Sequence, residues 1–388
     1  MISKKIGVFA TAFLLTTGTA AGVCVLAASS VEAATARPAV GKALNEAIKF
    51  AESGNASAAN AKIREAESVP NLTPGEQELI AKTKDYVAAK TGNFSGGGGS
   101  ATAAKAKFAN DYNAGRYHDV VSEDADLLRK YGALDNGSEV IIAQAYYEMH
   151  DYDEAIRYIR GMGHVSQNVL ELLARSAYEV HDEAAMQSAL EQLVVDYNQP
   201  KYWSDLLDSA NRSANMSNSD TLDIYRLRLL TGTMKSASDY ETAAEIAIQL
   251  GFPTEGQDFA QKGLALKLLE PARGARLISM AKAEAATDVA ALAKTAAAAD
   301  AAKTGDADVK LGEDYWGMGR YQDAVAAIKA GIAKGVANPD EAHIRLAMAY
   351  IGLHQRDSAV RALDAVSKTA PVHTLTVARL WSIYARTH

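Results

Sequence analysis

A chain of 388 residues with only 8 prolines, rich in alanine and poor in β-branched runs, favours helices throughout. Its length is more than one core usually serves and suits an array that lengthens by repetition. The formal net charge is −7, of which residues 1–33 carry +1 through Lys4, Lys5 and Glu32; the remaining −8, with no concentrated basic stripe, excludes nucleic acid as the expected partner.

Residues 1–33 have the pattern of an export signal. Lys4 and Lys5 form a positive start, residues 6–28 are uncharged and largely apolar, and Val31-Glu32-Ala33 and Ala34-Thr35-Ala36 both offer small residues for cleavage. The competing reading is an uncleaved membrane anchor, because the uncharged stretch is nearly long enough to span; its Thr and Gly residues weigh against that. Cys24 is the single cysteine, and Ala21-Gly22-Val23 before it departs from the Leu-Ala-Gly-Cys of bacterial lipoprotein signals, so lipidation is not expected. Cleavage would leave a chain without thiols, suited to an oxidising compartment such as a bacterial periplasm.

Residues 34–90 predict a small helical unit. Leu44, Ala47, Ile48 and Ala51 line a first helix, Gly54-Asn55 breaks it, and Ala58, Ala59, Ile63 and Ala66 line a second. Thr73-Pro74 supplies the cap and first-turn proline of a third, with Ile80, Tyr86 and Val87 as its apolar contacts. Residues 91–100 follow with four consecutive glycines. No Gly-Lys-Ser/Thr comes after them and no strand before, so they read as a flexible linker and not as a phosphate cradle.

From residue 101 to 388 a large apolar residue followed by a second, mostly small, apolar residue recurs: Phe108-Ala109, Ile142-Ala143, Leu173-Ala174, Leu206-Leu207, Ala243-Ala244, Leu277-Ile278, Leu311-Gly312, Leu346-Ala347 and Leu380-Trp381. The intervals are 34, 31, 33 and 37, then 34, 34, 35 and 34, so the register drifts early and is regular late. The short interval is real, because Tyr147-Glu148-Met149-His150-Asp151 returns as Tyr178-Glu179-Val180-His181-Asp182. The long one falls at an Asn/Ser-rich loop, residues 211–219. Leu311-Gly312, Tyr315, Gly319, Ala324 and Ile328 recur 35 residues later as Leu346-Ala347, Tyr350, His354, Ala359 and Leu363, the spacing of two helices whose small residues permit close approach.

This order of Leu, Gly, Tyr and Ala in a unit of about 34 residues resembles the tetratricopeptide repeat. The resemblance implies an all-α, right-handed α-solenoid of helix-turn-helix repeats over residues 101–388, with the helix from Leu380 to Tyr384 capping its open end. It also implies a concave groove lined by the first helix of each repeat, in which a partner peptide lies. At repeat position 12 the groove would present Asn113, Tyr147, Tyr178, Trp316 and Ile351, and at position 9 Asn110, Gln144, Arg175, Glu313 and Met348. The partner-binding set expected is Asn110, Asn113, Gln144, Tyr147, Arg175, Tyr178, Glu313, Trp316 and Met348; Tyr147 and Tyr178 could equally belong to the core. Position 5 carries Lys105, Val140, Glu171, Val309 and Ile344, which lacks the basic clamp that one subclass uses for a terminal carboxylate. Trp203, just after Pro200, is expected to be structural.

Catalysis is not expected. His150, His181 and His354 occupy one repeat position, where the family often has a turn glycine, and residues in successive units are too far apart to share an ion. His-Glu-x-x-His, Gly-x-Ser-x-Gly and Cys-His arrangements do not occur. The acid runs Glu123-Asp124-Asp126 and Glu313-Asp314 read as solvated helix faces. Residues 285–302, alanine-rich with Asp288, Lys294 and Asp300 interspersed, read as a thinly packed repeat helix in a softer middle of the array. The expectation is a non-catalytic, cofactor- and metal-free periplasmic scaffold that binds a protein or peptide in its groove, serving envelope assembly or export. The alternative is a helical array that binds or processes glycan or peptidoglycan.

Overall fold

The computed structural model describes residues 36–94, 99–212 and 215–388. Residues 1–35, which hold Cys24 and the stretch expected to be an export signal, lie outside the described residues. Among those described the chain is all-α, without a strand, and divides into two compact units, the first ending at Val180 and the second being His181–His388.

The first unit begins with the predicted hairpin, α1 (Pro38–Glu52) and α2 (Ala56–Glu67), covered by α3 (Pro74–Thr91). Leu44, Ala47, Ile63, Ile80 and Val87 form its core. Thr73 and Glu76 make a reciprocal capping box at the start of α3, and the buried Glu76 carboxylate also accepts from the Arg37 guanidinium at 2.9 and 2.8 Å. Its pKa lies well below the usual carboxylate range because of the Arg37 guanidinium first and the Thr73 and Arg37 amides next. Of the glycine-rich stretch predicted as a linker, residues 95–98 lie outside the described residues. On its flanks, Ser100 Oγ donates to Asp85 of α3 at 2.6 Å, and the Phe94 ring lies 5.8 Å from Tyr131.

Next come α4 (Ala101–Asn113), then α5 (Tyr117–Asp119), a π-helical turn (Val120–Asp124) and α6 (Ala125–Lys130) in continuous succession, the hairpin α7 (Asn136–Glu148) and α8 (Tyr152–Arg160), and α9 (Gln167–Glu179). Phe108, Leu128, Ile142, Ile159 and Leu172 fill the spaces between them.

The second unit contains α10 (Glu183–Tyr197), α11 (Pro200–Asn211), α12 (Asn218–Leu230), α13 (Ala237–Gln249), α14 (Pro253–Ala265), α15 (Pro271–Ala301), α16 (Asp306–Gly317), α17 (Tyr321–Lys334), α18 (Pro339–Gly352), α19 (Arg356–Asp364) and α20 (Val372–Thr387). The pairs α13–α14, α16–α17 and α18–α19 are the expected hairpins. Their close approach needs a missing side chain: a Cβ on Gly312 would overlap Ile328 of α17, and one on Gly256 would sit 2.7 Å from Ile248. His150, His181 and His354 hold φ of 60°, 58° and 57°, in the left-handed region where Gly115 and Gly319 hold 74° and 73°. They are turn residues, as their repeat position predicts. Of the repeating large apolar residues, Phe108, Ile142, Leu206, Leu277, Leu311, Leu346 and Leu380 are buried, while Leu173 is half-buried with Leu172 taking its place.

Three expectations are corrected. The repeat beginning at Leu277 contains no turn: α15 is one helix of 31 residues, because neither glycine nor proline interrupts residues 275–301 and alanine dominates them. The C-terminal helix does not close an open end, since α20 packs on α18 and α19 and also on α10 and α12. Asp124 is not solvated, because the π-helical turn carries it into the interior, where it is fully buried.

Candidate functional site

In the second unit the inner surface expected to receive a partner is occupied by α12. This helix has no polar face: Asp220 and every residue from Leu222 to Arg228 are buried. Leu222 and Tyr225 enter the apolar core with Met234, Tyr240, Phe252 and Phe259. Ser217 and Asp220 cap its start reciprocally, and Asp220 also meets Nδ1 of His373 on α20 at 3.0 Å.

The buried charges of α12 are answered by helices from across the unit. Arg226 donates to both oxygens of Glu255 on α14, at 2.7 and 2.6 Å, and to Asp223 at 2.7 Å. Its guanidinium lies 4.5 Å from the Trp316 ring and 5.3 Å from Phe252. Arg345 of α18 reaches Asp223 from the other side, donates to Glu313 at 2.6 Å and Ser219 at 2.7 Å, and meets Glu341 at 3.1 Å. Burial opposes the charge on both arginines. Glu255 and Asp223 outweigh it at Arg226, and Asp223, Glu313 and Glu341 do so at Arg345, so both stay above the ordinary arginine value. The gap enclosed by Arg226, Glu313, Trp316, Ile328, Arg345 and Met348 is too small to admit a water molecule.

Three of the predicted groove residues, Glu313, Trp316 and Met348, are therefore brought together around a helix of their own chain. Met348 is buried, with Sδ 3.4 Å from Arg345. They form part of the interior. The same closure involves Trp203, fully buried, whose indole donates to Asn198 at 2.8 Å and whose ring lies 6.0 Å from Tyr384 of α20. Trp203 is structural as expected, although its partner is the last helix of the unit.

The other six predicted residues lie on the first unit. Asn110 and Asn113 stand exposed on α4; Gln144 and Tyr147 of α7, and Arg175 and Tyr178 of α9, are half-buried. The Arg175 guanidinium lies 5.3 Å from the Tyr147 ring. Tyr147 also meets Tyr152 edge-on at 5.1 Å, and Tyr152 Oη is 2.6 Å from His150 Nδ1. Burial raises the Tyr147 phenol above its usual range while Arg175 pulls it back. The result is an aromatic surface with a cation laid on it.

No group of three or more His, Cys, Asp or Glu side chains placed to hold a metal occurs among the described residues. The residues that sequence reasoning missed are Ser219, Asp223, Arg226, Glu255 and Arg345. One signal was present: apart from Asp223, Arg226 and Arg228 the segment Leu222–Leu230 is apolar or aromatic, so apolar residues fall on every side of the helix. The long interval just before it marks the extra loop that lets α12 turn inward.

No family model matches the chain, and no curated protein matches it. The chain is similar to one in the crystal structure of the APC/C hetero-tetramer Cut9-Hcn1, at 12% identity, covering 86% of this chain and 64% of that one with a TM-score of 0.23. It thus spans less than two thirds of that neighbour. A likeness this loose carries no argument, and the architecture rests on the helices themselves.

Proposed function

We propose that this protein is a non-catalytic helical-repeat scaffold that binds another protein through the face of its first unit formed by α4, α7 and α9. The observation that carries this reading is the Tyr147–Arg175 pair, half-buried, with the cation laid on the ring, at the repeat positions whose counterparts in the second unit are covered by α12. Large rings and arginine are the side chains that dominate recognition surfaces, since they offer area and a polar tip at little cost in conformational freedom. The exposed Asn110 and Asn113 of α4 supply further donors and acceptors. The export-signal pattern of residues 1–33 supports a role outside the cytoplasm, as in a periplasm, where envelope assembly or export would use it. Among the described residues no helix is long and apolar enough to cross a membrane.

Capture of partners from an envelope extract on immobilised protein tests the reading. Wild type should retain a stoichiometric protein, and Tyr147→Ala with Arg175→Ala should lose it at unchanged helical circular dichroism. Retention of murein or polysaccharide with no protein would favour a glycan-binding role, for which the Tyr147 and Tyr152 rings would serve as stacking platforms. Equal capture by the variant would remove this face from the reading.

A further inference from the structure

The π-helical turn buries a carboxyl group that the interaction surface does not use. Asp124 has no exposed area and faces Lys107 and Asp111 of α4. Lys107 Nζ, almost buried, lies 2.8 Å from Asp111 and also contacts Asp124. Arg116, in the turn after α4, adds a second cation to Asp111 alone, with Nε at 3.0 Å and Nη2 also in contact. The cations therefore favour Asp111. Asp124 Oδ2 is buried with no hydrogen-bond partner.

An ionised carboxyl with a bare buried oxygen is the costly form of the group, and a second carboxylate beside it raises that cost. A single proton answers both, because protonated Asp124 becomes a donor and Asp111 an acceptor. The two acidities diverge accordingly. Burial first, and Asp111 in the same direction, push Asp124 up to about 6 against the pull of Lys107. Asp111, despite its own burial, is held below the usual range by Lys107 and Arg116. Other ionisable groups on the elements packed here are Lys105 and Tyr112 of α4, Tyr117, His118 and Asp119 of α5, Glu123 of the turn itself, and Asp126, Arg129 and Lys130 of α6. The α7 helix brings Glu139, Tyr146, Tyr147 and Glu148. Asp126 and Arg129 pair with each other at 2.7 Å, and Asp119 lies 3.9 Å from Arg116.

We propose that Asp124 and Asp111 form a proton-binding pair, in which one proton held between the carboxyl groups fixes the π-helical turn against α4. The turn packs on α4 and α7, the helices that carry Asn110, Asn113, Gln144 and Tyr147, so its occupancy biases the surface assigned above. That consequence rests on the proposed function; the proton site itself does not. The folded value lies above the unfolded one of 3.8, so the folded chain binds more protons between the two. Stability from the Asp124 proton is full below about pH 4 and is lost as pH rises through about 6, whereas the contribution of Asp111, whose folded value is lowered, fades as pH falls through that value.

Carbon-13 NMR of the full chain labelled at aspartate carboxyl groups, titrated from about pH 4 to 8 with Asp124→Asn to assign the resonance, tests the site. Asp124 should titrate near pH 6, and Asp111→Asn should lower that midpoint by about one unit by removing the acceptor and its charge. Titration in the ordinary aspartate range, or a midpoint indifferent to Asp111→Asn, would overturn the proposal. Hydrogen-exchange protection of Val120–Asp124, corrected for intrinsic rates, should rise below about pH 6 in wild type. Protection unchanged with pH would likewise overturn it. These readouts are independent of partner capture, so an absent partner leaves the proton site standing. The wild-type exchange profile decides the matter even if a variant fails to fold.

Discussion

Helices α12 and α15 belong to the same unit and are stabilised on opposite grounds. In α12, buried from Leu222 to Arg228, nearly every side chain touches another helix. Its sequence, with Ile, Tyr, Thr and paired charges, is a mediocre helix former. In α15, 31 residues long, only Gly274, Leu277, Ala281 and Ala299 are buried, and Met280 and Val289 are exposed. Its alanines need no neighbour, since alanine has the strongest helix preference of any residue. One helix exists because the unit encloses it, the other because its backbone prefers the state.

Arg345→Ala should break α12 hardest. It leaves Asp223, Glu313 and Glu341 facing one another without their shared cation, and stranding buried charge costs about 3–5 kcal/mol. All three tryptophans, Trp203, Trp316 and Trp381, lie in the second unit, so denaturant unfolding followed by tryptophan emission reports that unit. A loss below about 1 kcal/mol would mean that the charges of α12 are not held as described. Gly312→Val approaches the same helix indirectly. The added side chain forces α16 away from Ile328 of α17, moves Trp316 off Arg226, and should destabilise the unit by about 1–3 kcal/mol in the same measurement.

The converse perturbation belongs to α15. Ala286→Gly with Ala290→Gly removes no buried contact, as both positions are exposed, yet each should weaken the helix by about 1 kcal/mol. Hydrogen exchange should quicken around residues 286–290 while α12 keeps its protection. Equal loosening of both helices would show that α15 is supported by packing after all.

The hairpins were legible in the sequence because each buried position returns at a fixed offset, from Phe108 to Leu380, and the turn histidines because one position in every unit needs a left-handed backbone. The unbroken α15 was not, since a spacing of 34 between Leu277 and Leu311 is kept equally well by a hairpin or by a long helix and a short loop. Charges separated by three residues, such as Asp223 and Arg226, look like a surface pair until the opposite wall brings Glu255 and Arg345. Asp124 was misread for a related reason: a π-helical turn rotates the residues after it relative to a 3.6-residue period, so an acid in an acidic run turns inward. Of the groove set, Tyr147 and Arg175 meet as a pair, whereas Glu313, Trp316 and Met348 meet only around α12. The repeat positions carried no information about whether the chain itself would fill the surface assigned to them.

The smallest expected effect calibrates the others, because it touches neither helix. His354 is exposed and sits at φ 57° in the turn between α18 and α19, a conformation that strains any residue with a Cβ. Gly319, the corresponding turn residue one repeat earlier, holds 73°. His354→Gly relieves the native strain and adds freedom to the unfolded chain, two effects of opposite sign and similar size. Strain should prevail narrowly, giving a gain of about 0.5 kcal/mol by the same tryptophan measurement. A loss above about 1 kcal/mol would require that the imidazole make a stabilising contact, and would remove His354 from the class of plain turn residues. A small gain would instead show that the inter-helix turn tolerates histidine without depending on it, which leaves the enclosure of α12 as the principal determinant of stability in this unit.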